Sequence, residues 1–380
     1  MILYLSAATS YKIYDENLEK GLIAKGSYQV QKFNNNLIKG LSCHEKIVSL
    51  AALSCGKNKV PAIHEKIDGV EYYCVKNTDK ICNKVVRVKE LYKTGKKIIK
   101  DEKPRFIICD SISFALSYVA IKLGKRFNIP TVAIVTDVPE KYCGNGKTIS
   151  MKLTAKYMKK YEAYILLSQS MNEIVNKKNK PYLIMEGACG DIPGLRQKSK
   201  DKKIILYSGS LWKGSLGLEY FVKGFIQANL KDVELHFYGV GAFASTLEKI
   251  HKVYPQIKYM GCVTNEEVVK KQAEAHLLFN SRPKDLEFSK YSFPSKTFEY
   301  MVSGTPLLMT RLYSIPDEYF NYTYCIEEET SEFVCEKLKE IFSNYNAAEE
   351  KGLKARQFII ENKTAIIQSK RIIEFINSIN

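Results

Sequence analysis

The chain has 380 residues, of which 45% are hydrophobic, and 58 basic against 41 acidic side chains give it a formal net charge of +17. This length predicts two globular domains, and we expect them in the cytoplasm because ~18 uninterrupted apolar residues and signal-peptide features are both absent. The charge favours an anionic partner, and ten cysteines without a C-x-x-C pair indicate reduced thiols and no metal site.

The first half alternates apolar runs with segments of helical periodicity, which is typical of βαβ units. Strands are predicted at ILYLSAA, EKIVSLAAL, RFIICD, TVAIVTD, AYILLS and PYLIMEG, and helices at GSYQVQKFNNNLIKGL, SFALSYVAIKLGKRFN and QSMNEIVNKK. Residues 1–190 are therefore expected to form a doubly wound, Rossmann-like α/β domain.

A lysine-rich segment lies between two of these strands. Four lysines would share one face of a helix beside an apolar stripe: Lys152, Lys156, Lys159 and Lys160, next to Ile149, Leu153, Tyr157 and Tyr161. The pattern is typical of a helix that binds an anionic membrane surface. It fits equally well a solvated helix whose apolar stripe packs on the core, and the sequence leaves both interpretations open.

The second half begins after residues 187–203, which are rich in glycine and charge and are predicted to be a linker. The alternation then starts again. Strands are predicted at KIILYSGS, VELHFYG, IKYMG, HLLFNS and PLLMT, and helices at GLEYFVKGFIQAN, ASTLEKIHKVY and TNEEVVKKQAEA. Residues 191–365 are expected to form a second doubly wound domain, and the C-terminal segment is strongly helical.

One motif in this half matches a dinucleotide fingerprint in part. Gly239-x-Gly241-x-x-Ala244 follows a predicted strand, but the next strand ends in Met260 and Gly261, without the acid that would hold a ribose. NAD binding is therefore not expected. The two glycines still allow a phosphate or a ribose to approach the backbone.

The stretch KYSFPSKTFEYMVSGTP places a polar turn directly before a helix. Ser292 and Ser295 could cap that helix or donate directly to a ligand. Lys296 adds a positive charge beside a helix start that favours a diphosphate, and Glu299 is placed to accept hydrogen bonds from vicinal hydroxyls. A nucleoside diphosphate sugar has both features. An ordinary capped helix with a Lys–Glu pair is the alternative.

Two segments of this half resemble the nucleotide-sugar domain of glycosyltransferase family 4, whose members are retaining enzymes of GT-B fold. They are residues 257–310 and the sequence YSGSLWKGSLGLEYFVKGF. The resemblance implies two Rossmann-like domains facing a cleft, with residues 1–190 binding the acceptor and residues 191–365 binding the donor. It also implies that a terminal helix, residues 366–380, packs back on the first domain.

The resemblance assigns the ribose-binding position to Glu299, the second glutamate of the family's Glu-x7-Glu motif. Tyr291 stands at the position of the first glutamate, and Glu287 lies four residues earlier as a candidate catalytic carboxylate. Gly209 follows the first strand of the domain. Ser210 then replaces the family's phosphate-binding arginine.

The lost positive charge needs replacing from elsewhere in the domain. If Gly217 matches the glycine of the family's Lys-Gly pair, its lysine falls on Leu216, whereas Lys213 and the following glycine offer the same pair three residues earlier. Lys213 is therefore expected to reach the diphosphate and to act in catalysis. Arg282 or Lys290 would supply further charge.

In the first domain the resemblance is looser. Gly26 matches the family's glycine-containing loop only loosely, and Glu186 with Gly187 ends the last strand. Asp137 stands where the family often has a catalytic-region histidine. It is expected to contact the donor sugar or orient the acceptor, unless it only caps a loop.

The predicted activity is transfer of a sugar from a UDP- or GDP-linked donor to a lipid-linked or growing glycan acceptor, as in capsular or extracellular polysaccharide assembly. Retention comes from the resemblance. No Asp-x-Asp pair occurs, so a metal-independent reaction is expected, with cations stabilising the leaving diphosphate. The alternatives are a nucleotide-sugar epimerase and a non-catalytic basic module that binds membrane or nucleic acid. Nucleic acid is not the expected partner because recognised aromatic RNA-binding motifs are missing.

Overall fold

The structure is a computed structural model that describes residues 1–23, 28–53, 60–76, 83–139, 148–212 and 217–379. The chain divides into two compact units. The first unit is Met1–Ala188 with Thr364–Asn380, and the second is Cys189–Lys363. The boundary lies two residues before the predicted one, and the C-terminal segment belongs to the first unit.

The first unit contains one sheet of eight strands in the order β3-β4-β2-β1-β5-β6-β7-β8, parallel except for the antiparallel pair β3–β4. Its strands are β1 Ile2–Ser6, β2 Ile47–Ala51, β3 Ile63–Ile67, β4 Val70–Cys74, β5 Phe106–Asp110, β6 Thr131–Val135, β7 Ala163–Leu166 and β8 Tyr182–Ile184. The central strands β1, β2, β5 and β6 are buried along their whole length because helices cover both faces.

Among the residues that the structure describes, seven helices complete the first unit. They are α1 Tyr11–Glu19, α2 Tyr28–Ser42, α3 Asn83–Glu102, α4 Phe114–Phe127, α5 Ile149–Met158, α6 Gln169–Val175 and the C-terminal α13 Ala365–Ser378. The helix α13 packs against α2, and Gln368 Nε2 donates a hydrogen bond to the carbonyl of Gly187 (2.8 Å). These contacts attach the C-terminal segment to the first sheet.

The second unit contains one parallel sheet of six strands in the order β11-β10-β9-β12-β13-β14. Its strands are β9 Lys203–Ser208, β10 Val233–Tyr238, β11 Ile257–Tyr259, β12 Leu277–Asn280, β13 Leu307–Thr310 and β14 Tyr324–Ile326. Its helices are α7 Leu218–Ala228, α8 Ala244–His251, α9 Asn265–Glu274, α10 Lys296–Val302, α11 Ser331–Ser343 and α12 Tyr345–Asn362. Both sheets are doubly wound, as the sequence predicts.

Several elements differ from the sequence interpretation. The helices α1 and α3 and the hairpin β3–β4 were not predicted. The C-terminal segment that was predicted only as strongly helical contains two helices, because α12 ends at Asn362 and Thr364 caps α13 by accepting a hydrogen bond from the N–H of Ile367 (3.4 Å). The second of them, α13, matches the predicted terminal helix 366–380. The helix α5 ends at Met158, so Lys159 and Lys160 lie beyond it. No helix within the described residues is long and apolar enough to cross a membrane.

Candidate functional site

The second sheet has a topological switch point between β9 and β12. From β9 the chain winds to β10 and β11 on one side and then returns to β12 on the other. The connections that leave the two strands therefore diverge, and such a sheet binds ligands in the crevice at the carboxyl ends of the two strands. Gly209 follows β9 there and Ser281 follows β12.

Gly209, after β9, and Gly239, after β10, form the floor of this edge, and we call this pair the glycine floor. Gly239, after β10, has φ +134°, and a Cβ built on it would overlap the carbonyl of Gly209. The backbones are tied together, because the N–H of Gly209 donates to the carbonyl of Tyr238 (2.8 Å). A side chain at Gly239 would have to displace backbone, so the position requires glycine. The same holds for Gly241, whose Cβ would overlap the backbone of Leu211.

Lys296, the first residue of α10, covers this glycine floor. A Cβ built on Gly209 would overlap its Nζ, so the lysine occupies the space that a side chain there would fill. Its Nζ donates a hydrogen bond to the hydroxyl of Tyr207 (3.2 Å) and lies 4.3 Å from the centroid of that ring. The lysine is half-buried. The glycine and the cation therefore form one site.

The surroundings of Lys296 shift the equilibrium between its charged and neutral forms. Burial, together with the charge of nearby Arg282, lowers the pKa of Lys296 to about 7, while Glu299 opposes the shift. Burial also raises the pKa of Tyr207, so its hydroxyl stays protonated and donates to the carbonyl of Ser210 (2.9 Å). An anion beside Nζ would favour the charged form of the lysine.

The helix α10 is fixed to the sheet by Tyr300. Its hydroxyl accepts a hydrogen bond from the N–H of Ser208 (2.9 Å) and donates to the carbonyl of the same residue (3.1 Å). Gln272 Nε2 donates to Ser208 Oγ (3.0 Å). Sequence analysis missed both Tyr300 and Tyr207. The spacing could have found Tyr300, since it lies four residues after Lys296 and therefore on the same side of the helix.

The other residues of the KYSFPSKTFEYMVSGTP stretch have different roles. Ser295 occupies the N-cap position of α10, but its side chain makes no capping hydrogen bond and is exposed. Ser295 therefore does not cap this helix, and its direct donation to a ligand stays a prediction. The carbonyl of Ser292 accepts from Ser314 Oγ (3.1 Å), which fixes the preceding turn. Glu299 is half-buried and close enough to Lys296 to affect its pKa.

The three remaining charged candidates follow β12. Arg282 stacks over the ring of Phe288 (5.0 Å from guanidinium carbon to centroid) and lies close enough to lower the pKa of Lys296. Glu287 and Lys290 are exposed on a short 3-10 helix, 4.0 Å apart as an ion pair. The structure thus brings Arg282 to Lys296, whereas Glu287 and Lys290 form an exposed pair of their own.

Lys213, together with Gly214 and Leu216, lies outside the described residues, and its role stays a prediction. Ser210, which replaces the family's arginine, is exposed. Two further side chains at this edge were missed in the sequence. Trp212 is 63% exposed and Val240 is 62% exposed, and their loops are joined by a hydrogen bond from the N–H of Leu211 to the carbonyl of Val240 (2.9 Å).

The first sheet has its own switch point between β1 and β5, where Asp110 ends β5. Asp110 is 1% exposed, and its carboxylate accepts hydrogen bonds from Asn34 Nδ2 (2.9 Å) and the N–H of Ile112 (3.3 Å). Burial raises its pKa, and the charge of Asp137 after β6 adds to that shift. Asp137 therefore lies near a buried carboxyl that sequence analysis missed, although RFIICD ends in this acid just as TVAIVTD ends in Asp137.

A cavity of about 670 Å³ also lies in the second unit. It is lined by side chains of β9 and β10, by Lys198 from the segment before β9, and by Lys271 of α9. None of the predicted site residues lines it. The predicted site residues of the second unit that the structure describes therefore lie outside this cavity.

The segment that forms this edge matches a known protein family. Residues 202–344 match the family described as Glycosyl transferases group 1. The matched segment contains every site residue predicted in the second unit, from Gly209 to Glu299. No curated protein matches the sequence.

Solved structures resemble the whole chain. Sucrose-phosphate synthase from Thermosynechococcus elongatus is 11% identical with a TM-score of 0.65, covering 100% of this chain and 98% of its own. HepE from Anabaena, solved in complex with UDP, is 12% identical with a TM-score of 0.64 and 99% coverage of each chain. The lipopolysaccharide outer core galactosyltransferase WaaB has the same three values. The chain thus has the GT-B fold, and the family match together with this fold supports a glycosyltransferase.

Proposed function

We propose that this protein transfers a sugar from a nucleotide-sugar donor, bound at the carboxyl edge of the second sheet, to an acceptor hydroxyl. The observation that carries the proposal is Lys296 packed on Gly209 at the switch point, inside the segment that matches the glycosyltransferase family. Glycines let a diphosphate approach the backbone closely, and a lysine compensates its charge. Glu299 on the same helix would accept hydrogen bonds from the ribose hydroxyls.

The chemistry follows from these groups. The bond between the anomeric carbon and the diphosphate oxygen breaks, the acceptor oxygen forms a new bond to that carbon, and the acceptor proton passes to the leaving diphosphate. During this step positive charge grows at the carbon while negative charge grows on the leaving group. Lys296 and Arg282 would stabilise that leaving group without a metal ion, and binding both substrates side by side would lower the barrier further. We propose retention of anomeric configuration, as in glycosyltransferase family 4, with Lys213 as a third cation on the diphosphate.

The acceptor belongs to the first unit in this proposal. Asp137 would contact it at the carboxyl edge of the first sheet, next to the buried Asp110. A lipid-linked or growing glycan fits best, because the first unit carries most of the positive charge of the chain and so suits an anionic membrane. Capsular or extracellular polysaccharide assembly on the inner face of the plasma membrane is the corresponding pathway.

The chain contains a single tryptophan, Trp212, three residues from Gly209, so its fluorescence would report binding at this edge. We would titrate UDP- and GDP-sugars into wild type, Lys296→Ala, Glu299→Ala and the exposed control Lys290→Ala, with and without EDTA. One nucleotide class should bind wild type and the control, unaffected by EDTA, and should bind the other two variants weakly. Equal affinity in all four proteins would contradict the proposal.

Turnover then separates the proposed transferase from an epimerase on the same fold. A transferase consumes the donor only when an acceptor hydroxyl is supplied, apart from slow hydrolysis, and NMR of the product gives the anomeric configuration. Interconversion of the donor sugar without an acceptor would favour the epimerase. Inversion at the anomeric carbon would overturn the retaining mechanism but not the transferase.

A further inference from the structure

The positive charge of the chain is concentrated in one unit. The first unit holds 34 basic and 18 acidic residues, whereas the second holds 24 and 23. Of the net charge of +17, the first unit thus carries +16. A charge of this size on one unit favours an anionic partner, and the positions of the lysines indicate where that partner would bind.

Many of these cations lie on three neighbouring helices. The helix α4 packs against α3 on one side and α5 on the other. Arg126 of α4 donates a hydrogen bond to the hydroxyl of Tyr92 of α3 (3.4 Å), and Phe114 of α4 meets Tyr157 of α5 edge-on (5.2 Å between centroids). We call the exposed side of this layer the α3–α5 face.

Exposed lysines follow one another along this face at intervals of three or four residues, so each helix turns the same side outward. They are Lys89, Lys93, Lys97 and Lys100 of α3, Lys122 and Lys125 of α4, and Lys152 and Lys156 of α5. Within the described ranges, none of these eight lysines forms an ion pair with an acidic side chain. Two of the three acids of α3 pair with other lysines, Glu90 with Lys76 (3.6 Å) and Glu102 with Lys46 (2.6 Å), and only Asp101 adds a negative charge at the C-terminal end of this helix.

Aliphatic side chains lie at one end of the same face. Val85, in the first turn of α3, is 61% exposed, and Ile149, the first residue of α5, is 79% exposed. Both helices begin after a parallel strand, so their first turns lie at the carboxyl edge of the first sheet. The face thus combines a long row of cations with a few aliphatic side chains at one edge.

We propose that the α3–α5 face binds the surface of an anionic phospholipid bilayer, with Val85 and Ile149 entering the boundary of the acyl chains and the lysines contacting headgroup phosphates. Anionic lipid attracts clustered lysines, and aliphatic side chains beside them add apolar burial. The aliphatic side chains favour lipid over nucleic acid, because they cannot stack on bases as aromatic rings do. The aromatic rings of the layer are half-buried between the helices. The proposal does not depend on the sugar donor.

The test is co-sedimentation of the full chain with vesicles, without nucleotide sugar. We compare phosphatidylcholine vesicles with vesicles that contain 30% phosphatidylglycerol, at low and high salt. The face variant is Lys93→Gln, Lys125→Gln, Lys156→Gln, with one change on each helix. The matched control is Lys223→Gln, Lys231→Gln, Lys252→Gln, three exposed lysines of the second unit with the same loss of charge.

Wild type and the control should bind the anionic vesicles and not the neutral ones, and the face variant should bind about a hundredfold more weakly. Binding should weaken with salt. Changing Ile149 and Val85 to Ser should reduce the binding that remains at high salt. Both triple variants must melt like wild type.

Three results would overturn the proposal. They are no binding of wild type to anionic vesicles, equal loss in the face variant and the control, and binding of a DNA oligonucleotide by the face without binding of vesicles. None of them bears on the proposed transferase, which the nucleotide titration tests separately.

Discussion

The two units differ in what they bury at the switch point of their sheet. The first unit, with a net charge of +16, buries an acid, Asp110, whereas the second, with +1, partly buries a base, Lys296. The net charge of a unit therefore does not indicate the charge of its strand-end site. Diffuse lysines on an exposed surface and one lysine against a glycine floor attract different ligands.

The surroundings of the two groups suggest different roles. Asp110 is fully enclosed and held by Asn34, whose Oδ1 in turn accepts from the hydroxyl of Tyr4 (2.7 Å). Lys296 is only half-buried and has Arg282 close by, an arrangement of two cations that an anion would stabilise. We infer that Asp110 orders the first sheet edge and that Lys296 is available to a ligand.

The largest expected change in stability comes from Gly239→Ala, which tests the close packing at the switch point of the second sheet. The new Cβ would overlap the carbonyl of Gly209, so the backbone of the second unit must shift, at a cost of about 3 kcal/mol or more in the free energy of unfolding. Chemical denaturation measures it. The control is Gly194→Ala, in the same unit, where a Cβ meets nothing within 4 Å. Equal stability of the two variants would contradict the packing of the two glycine loops.

The next effect concerns ligand affinity. Lys296→Ala should weaken nucleotide-sugar binding about tenfold to a hundredfold, as expected for a charge-assisted hydrogen bond. Lys290→Ala should change it little, because Lys290 is exposed and pairs with Glu287. Calorimetry or Trp212 fluorescence gives both constants. A larger loss for Lys290→Ala would move the phosphate site to the exposed turn.

The pH dependence of nucleotide-sugar binding tests whether the positive charge of Lys296 contributes to affinity. Because its pKa is about 7 before ligand binds, affinity for a nucleotide sugar should fall as pH rises from 7 to 9, by up to tenfold per unit. The diphosphate of a nucleotide sugar does not titrate in this range. Lys296→Arg should bind with a flat profile, since arginine stays charged. If affinity fell with pH equally in wild type and in Lys296→Arg, the titrating group would be another residue.

The effect of pH on stability has opposite signs in the two units. Lys296 binds fewer protons folded than unfolded between pH 7 and 10.5, so its contribution makes stability rise across that window. Asp110, whose folded pKa is raised above 3.8, makes stability fall as pH rises through the raised value.

Unfolding experiments on Lys296→Met and Asp110→Asn test these two signs. The stability gained by Lys296→Met should be greatest below pH 7 and should vanish near pH 10.5. The difference between wild type and Asp110→Asn should change only between pH 3.8 and the raised pKa of Asp110. A difference that is constant with pH in either variant would show that the group does not titrate on unfolding.

The sequence alone determined the alternation of strands and helices, because apolar periodicity reports burial directly. It therefore predicted both doubly wound sheets and the polar turn before α10. It missed the hairpin β3–β4, whose strands IHEKI and VEYYC are only partly buried and so lack the continuous apolar run of the central strands. It placed the start of the terminal helix within one residue, at 366, where Thr364 caps a helix that begins at Ala365.

Only the tertiary structure decided which charged residues come together. Glu287, Lys290 and Lys296 are close neighbours in sequence, yet only Lys296 reaches the glycine floor, because Tyr300 fixes α10 to the end of β9 while the 3-10 turn stays outside. Tyr207, 89 residues away, then holds its Nζ. Local pattern predicts which residue types occur at a strand end, but contact between distant segments depends on how sheet and helix pack. That packing is not encoded in any single stretch of the chain.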